Sequence, residues 1–225
     1  TGKQHLADPV RQLRSLTVHY LRPPSAASAR IEVETEQLGR SVAFLRLKMT
    51  QNEKPILLAT GAWATPRVGF EYADWPMPDV DFSQSSQTFG FHRAGTLPPI
   101  RQQWEIRTAA GAAFGSGESP DLSWWIRPPT HRELDAAMIV AITDALPPPI
   151  FVRKLGPVGV PTMDLTIHIR AELSEVNWET GDWVLARFST RHASGGFLEE
   201  DGALWTADGT LLAHSRQLAL ALLES

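Results

Sequence analysis

A short stretch of this chain occurs twice. Leu16-Thr17-Val18-His19-Tyr20-Leu21-Arg22 resembles Leu165-Thr166-Ile167-His168-Ile169-Arg170, 149 residues later. Leu57-Leu58-Ala59 resembles Leu211-Leu212-Ala213, 154 residues later. The two matches run in the same order, and their offsets differ by only a small loop insertion. A repeat constrains a fold strongly, because each copy builds the same unit and the units bury their faces on one another. Before the second match in each half comes a polar turn, Thr50-Gln51-Asn52-Glu53-Lys54 and Thr206-Ala207-Asp208-Gly209-Thr210. The Asp-Gly pair in the latter is a hairpin signal. The 225 residues therefore read as a tandem duplication, long enough for a substantial core.

Between the copies the composition shifts. Residues 66–129 hold 8 of the 17 prolines, in stretches such as Trp75-Pro76-Met77-Pro78-Asp79. That is the chemistry of an extended connection. The predicted organisation is a first repeat at 1–65, a linker at 66–100 and a second repeat at 101–225. Within the repeats, apolar and polar residues alternate with period two, as in half-buried strands. Ile31, Val33 and Thr35 oppose Glu32, Glu34 and Glu36; Ala43, Leu45, Leu47 and Met49 oppose Phe44, Arg46 and Lys48; Val184, Ala186, Phe188 and Thr190 oppose Leu185, Arg187, Ser189 and Arg191. Further strands are predicted at 103–107 and 122–127. This is antiparallel-sheet patterning, with one face on a core.

One helix interrupts it. Thr130-His131-Arg132-Glu133 has the form of a capping box, and Leu134 to Ile142 is then nearly all apolar. A helix apolar around most of its circumference is a buried one, and Pro147-Pro148-Pro149 is expected to end it. A single buried helix among antiparallel strands predicts a sheet curled around that helix. The first repeat has only Thr1–Ser15 in which to place a matching helix, so it is expected to be truncated at its N-terminus.

Composition narrows the function. Net charge is −4 and there is no basic stripe, which argues against a nucleic-acid partner. With no cysteine, disulfides, thiolate nucleophiles and Cys-based metal sites are excluded, and a cytoplasmic setting is expected. No apolar run approaches a membrane span. The seven histidines show no metal-binding spacing, and no Gly-x-Ser-x-Gly elbow is present. No cofactor is expected.

Leu13-Arg14-Ser15-Leu16-Thr17-Val18-His19-Tyr20-Leu21-Arg22-Pro23 resembles the first-half signature of the acyl-CoA thioesterase II family. Supporting segments are Gly39-Arg40-Ser41, Gln51-Asn52-Glu53-Lys54-Pro55-Ile56, Asp144-Ala145-Leu146-Pro147-Pro148 and 208–217. The resemblance implies an α+β tandem (double) hotdog fold and hydrolysis of fatty acyl-CoA to free acid and CoA. It also implies a site made of an Asp at the start of the second-half strand, a Ser or Thr on a neighbouring strand and a Gln on the last strand. Carried over, these are Asp164, Thr190 (with Ser189 as the adjacent alternative) and Gln217.

The residue types suit the chemistry. A thioester is already activated, so hydrolysis needs a positioned water, a base and donors for the developing oxyanion. Asp164 would accept the proton, while Thr190 and Gln217 would hold the water or the oxyanion. Each has a plain structural role as well: Asp before a strand is commonly a turn residue, Thr a packing residue, Gln a solvated one. A non-catalytic hotdog that binds an acyl ligand or assembles with partners is the alternative. A hydratase would need a catalytic histidine near a carboxylate, for which His131 with Asp135 is the available pair. Exposed sheet edges suggest a homo-oligomer.

Overall fold

The computed structural model describes residues 1–86, 103–130, 132–154, 159–179 and 181–223. The first repeat supplies β1 (Gln12–Tyr20), β2 (Arg30–Leu38), β3 (Val42–Gln51) and β4 (Lys54–Ala64). The second supplies β5 (Glu105–Gly111), β6 (Asp121–Arg127), β7 (Thr162–Ile169), β8 (Val184–Ser189), β9 (Ala193–Ser194), β10 (Phe197–Thr206) and β11 (Leu211–Leu220). Ten of them follow one another across a single antiparallel sheet in the order β2-β3-β4-β1-β7-β11-β10-β8-β6-β5. The two-residue β9 pairs with β10 off this path.

The duplicated segments meet each other. β1 and β7 pair antiparallel with Thr17 opposite Thr166, the two equivalent threonines of the repeat, and their hydroxyls lie 3.0 Å apart. An antiparallel pair of equivalent segments has local two-fold symmetry, so the repeat joins its halves as an isologous dimer joins subunits. Arg14 adds a tie, from its guanidinium to Glu172 at 2.5 Å and to the Ala171 carbonyl at 2.9 Å.

Both hairpins form where the turns predict. Asn52 and Glu53 adopt positive φ, 47° and 62°, between β3 and β4. Gly209 does so, at 93°, between β10 and β11. These left-handed conformations match the twist of the flanking strands. The strand at 103–107 begins two residues later than expected, at Glu105.

In the first repeat the described helix is the five-residue α1 (Gly2–Leu6). The core helix of the second repeat, α2 (Ala136–Ile142), differs from its sequence prediction at both ends. Its N-cap is Asp135, whose carboxylate accepts from the Met138 amide at 2.7 Å. The capping box at Thr130–Glu133 is not used. Arg132 reaches Asp135 at 2.9 Å, and its carbonyl accepts from the Trp178 indole at 3.3 Å. Those contacts fix the preceding stretch outside the helix and hand the cap to Asp135. At the other end Thr143 is the C-cap and bonds the Val140 carbonyl through its hydroxyl. The helix thus stops before Pro147, and Pro149 opens a short 3-10 helix, Pro149–Val152. Met138, Ile139 and Ile142 pack with Leu122, Trp124, Ile126, Phe188, Leu204 and Leu212 in the main core.

The sheet's other face is covered by the connection after β4. Trp75 packs on Trp205 and His214, and Phe82 on Trp125 and Trp183. Residues 87–100 of the expected linker lie outside the described residues.

Candidate active site

The inner face of the sheet, toward α2, is read from strand parity. On β11, Ala213, Ser215, Gln217 and Ala219 are buried and alternate with more exposed neighbours. On β10 the inner set is Leu198, Glu200, Gly202 and Leu204. Glu200 lies directly opposite Gln217. A glutamate among leucines on the core side of a strand is costly unless it is hydrogen-bonded or uncharged.

The pairing gives a short network. The Gln217 amide donates from Nε2 to Glu200 Oε1 at 2.7 Å, and Gln217 Oε1 accepts from the Thr162 hydroxyl at 3.1 Å. In this orientation the Glu200 carboxyl oxygen takes the amide N–H and the Thr162 hydroxyl donates to the amide oxygen. Glu200 is 5% exposed. Burial, reinforced by the charge of Asp144, pushes its carboxyl up to about 8. Its second oxygen, Oε2, is buried without a hydrogen-bond partner, as is Thr190 Oγ1.

Thr162 reaches this face because β7 carries a bulge. Leu218 opposes Asp164, but the next residue of β11, Ala219, opposes Thr162, so Met163 is the extra residue. A bulge of this kind reverses side-chain parity and re-aims the residues beyond it. It brings Thr162 inward beside Gln217 and leaves Asp164 opposite Leu218 and His19, both on the outer face.

Asp144 follows the C-cap of α2, in a turn where the helix's partial negative charge disfavours another. It is open to solvent, yet protein crowds it on several sides, which suits the wall of a recess. That crowding raises its carboxyl above the usual carboxylate range, while a hydrogen bond from the Tyr20 hydroxyl at 3.2 Å opposes the rise. Tyr20 in turn is pushed up by burial and by the Asp144 charge.

The sequence-derived trio is therefore divided. Gln217 sits at the centre of the network. Thr190 lies just beyond β8; Ser189 opposes Asp201, and Thr190 is the next residue along, toward Glu200. Its backbone N–H donates to the Pro120 carbonyl at 3.0 Å and its hydroxyl is unpartnered. Asp164 is a correction: next to the inward Leu165 and still in regular register, it takes the outer parity, so the structure does not bring it to Gln217. Ser189 likewise faces outward with Asp201. Asp144, Thr162 and Glu200 take their places here without having been chosen from sequence. Of the hydratase pair, His131 lies outside the described residues and Asp135 caps α2. Among the described residues no group of three or more His, Asp or Glu could hold a metal ion, and no helix is long and apolar enough to cross a membrane.

A sheet folded on one core helix, built from two repeats joined at equivalent strands, with a carboxyl–amide network on its inner face, defines a double hotdog. Residues 2–64 match the acyl-CoA thioesterase N-terminal domain and residues 73–221 the acyl-CoA thioesterase C-terminal domain, so the chain belongs to the acyl-CoA thioesterase family. Among solved structures it is similar to a hot dog fold protein of unknown function from Alicyclobacillus acidocaldarius, at 25% identity and TM-score 0.87, over 99% of this chain and 84% of that one. It also resembles in fold the acyl-CoA thioesterase II TesB2 of Mycobacterium marinum, at 19% identity and TM-score 0.71, over 97% and 83%. The tesB protein of Mycobacterium avium subs paratuberculosis is similar at 18% identity and TM-score 0.69, over 96% and 81%. No curated protein matches the chain.

Proposed function

We propose that this protein hydrolyses acyl-CoA thioesters to free acid and CoA, with Asp144 as the base and Gln217 as the oxyanion donor. The observation that carries the reading is the Thr162–Gln217–Glu200 hydrogen-bond chain together with Asp144, a solvent-accessible carboxylate whose charge acts on Glu200 and whose proton affinity is raised. A general base works best when its proton affinity approaches the working pH, and Asp144 is shifted in that direction. The water oxygen bonds to the thioester carbon and its proton passes to Asp144. The carbonyl oxygen takes up negative charge and is met by the second Gln217 N–H, which has no partner among the described residues. The C–S bond then breaks, the carbonyl re-forms, and the thiolate leaves to be protonated as free CoA.

Each supporting group has a defined part. Tyr20 holds one Asp144 oxygen and leaves the other for water. Thr162 fixes the Gln217 amide. Thr190, as the sequence suggested, contributes an unpartnered hydroxyl near the end of the row and is a second candidate donor. A cytoplasmic setting and self-association through the exposed β2 edge belong to the same proposal.

The test is release of free thiol from short-, medium- and long-chain acyl-CoA, followed with a thiol-reactive dye. The protein has no cysteine and is silent in that assay. Turnover is expected, and Asp144→Asn should lower kcat by roughly 10²–10⁴-fold, the usual worth of a general base. A folded protein with no turnover on any chain length would overturn the hydrolase reading. Retained acyl-CoA binding would then favour the non-catalytic hotdog.

A further inference from the structure

We propose that Glu200 is a positioning residue that works as a neutral carboxylic acid, holding the Gln217 amide for the oxyanion while leaving Asp144 as the single negative charge of the site. The inference rests on the hydrolase reading and extends it to a residue outside the trio carried over from the resemblance.

The geometry is specific. Glu200 and Gln217 are directly paired across β10 and β11, and Glu200 Oε1 accepts from Gln217 Nε2 at 2.7 Å. Thr162 holds the other end of the same amide. With both of its ends engaged, the Gln217 amide plane is fixed, and its remaining N–H has one direction. A neutral acid provides the accepting oxygen as well as a carboxylate does. It does so without placing a second negative charge beside Asp144, whose charge already acts on Glu200.

Among the described residues, no cation stands among the groups that act on Glu200 to favour the ionised form. The groups that act on Glu200 are Asp144 from the turn after α2, Gln217 from β11, and Glu199 and Asp201 on its own strand. Three of these four are acidic and the fourth is neutral. Arg216 on β11 and Arg191, just past the end of β8, are paired with Asp201 on the outer face. The unpartnered Oε2 is the atom left to carry the proton. A buried carboxyl whose neighbour is already charged does not ionise readily, and the more buried of the two keeps the proton. Burial raises Glu200 to about 8, in keeping with that assignment. As Glu200 ionises, a second negative charge appears where the oxyanion must form, and turnover falls.

The experiment compares wild type, Glu200→Ala and Glu200→Gln. Glutamine retains the accepting oxygen and cannot ionise. Glu200→Ala should lower kcat by about 10²-fold through loss of amide positioning, and Glu200→Gln should recover most of that loss. The wild-type kcat profile should fall on an alkaline limb near pH 8, and Glu200→Gln should lack that limb. Independently of turnover, the Tm of Glu200→Gln should rise relative to wild type between pH 5 and 8. In that range the unfolded wild-type chain has lost the Glu200 proton while the folded one retains it, so its stability falls as pH rises. A folded Glu200→Gln as inactive as Glu200→Ala, or an alkaline limb shared by both proteins, would overturn the positioning role. A Tm difference that stays flat from pH 5 to 8 would overturn the neutral acid. If wild type turns over no acyl-CoA, the positioning role falls with the hydrolase reading, and the Tm series alone decides the protonation state.

Discussion

Glu200 and Asp201 are neighbours in the chain and opposites in every physical respect. Asp201 faces outward, opposite Arg216, which grips it with two bonds of 2.6 and 2.7 Å. That guanidinium holds its carboxyl below the usual carboxylate range. Glu200 faces the core, opposite an amide, and burial drives it the other way, to about 8. The two residues share a backbone, a strand and nearly the same chemistry. Their environments push one toward the ionised form and the other toward the neutral acid. The lesson concerns the sheet: its pleat sorts adjacent residues onto a structural face and a chemical face.

The sharpest way to break this contrast is to change the partners rather than the acids. Gln217→Ala removes the proposed oxyanion donor and leaves Glu200 Oε1 without its bond. Losing one such donor commonly lowers kcat by about 10²–10³-fold. Arg216→Ala, one residue away on the outer face, should leave kcat within about twofold, because an exposed ion pair contributes little. Parallel thiol-release assays on both variants check this. Equal losses would mean that the inner row is not the site.

A second test sits between the two faces in magnitude. Gly202 follows Asp201 on the inner face, and a Cβ there would lie 2.5 Å from Ser215 Oγ and 2.6 Å from Phe188 Cε1. The serine hydroxyl can rotate away, but the ring is buried in the core beside Ala186 and Leu204. Gly202→Ala should therefore destabilise by about 1–3 kcal/mol, the usual cost of overpacking, read by urea unfolding. A neutral result would show that the inner face has room that its contacts do not suggest.

The same division explains what could be read from sequence. The repeat, the strands, the two hairpins and the buried helix were legible because each is a local pattern: period two, Asp-Gly, an apolar run. Gln217, carried over from the family resemblance, takes the inner face opposite Glu200. Asp164 alternates with inward Leu165, Ile167 and Ile169 and so takes the outer parity, whereas Thr162 was hidden because the bulge at Met163 reverses parity and no periodicity marks that. The helix start misled because two caps compete within six residues, and Arg132 and Trp178 decide between them through tertiary contacts. Asp144 meets Tyr20 from 124 residues away, a pairing only the folded sheet creates. Glu200 did carry a signal, since it has the same parity as Leu198, Gly202 and Leu204; an acid on the core side of a strand marks a site worth testing.

The smallest expected effect completes the comparison. Asp201→Asn keeps the size of the side chain and removes its charge. Asp201 is largely shielded, but Arg216 is 69% exposed, so solvent and salt screen most of the attraction. The loss at pH 7 should be about 0.2–1 kcal/mol. Its pH dependence has the opposite sign to that of Glu200. The folded-state affinity of Asp201 for a proton is depressed, so its contribution is present above the unfolded value near 3.8 and is lost as pH falls through the lower folded value. Wild type and Asp201→Asn should therefore differ in unfolding free energy at pH 7 and converge below about pH 3.8, whereas wild type and Glu200→Gln diverge as pH rises from 5 to 8. Opposite slopes from adjacent residues are the signature of one strand with two chemically distinct faces, and slopes of the same sign would remove the distinction between them.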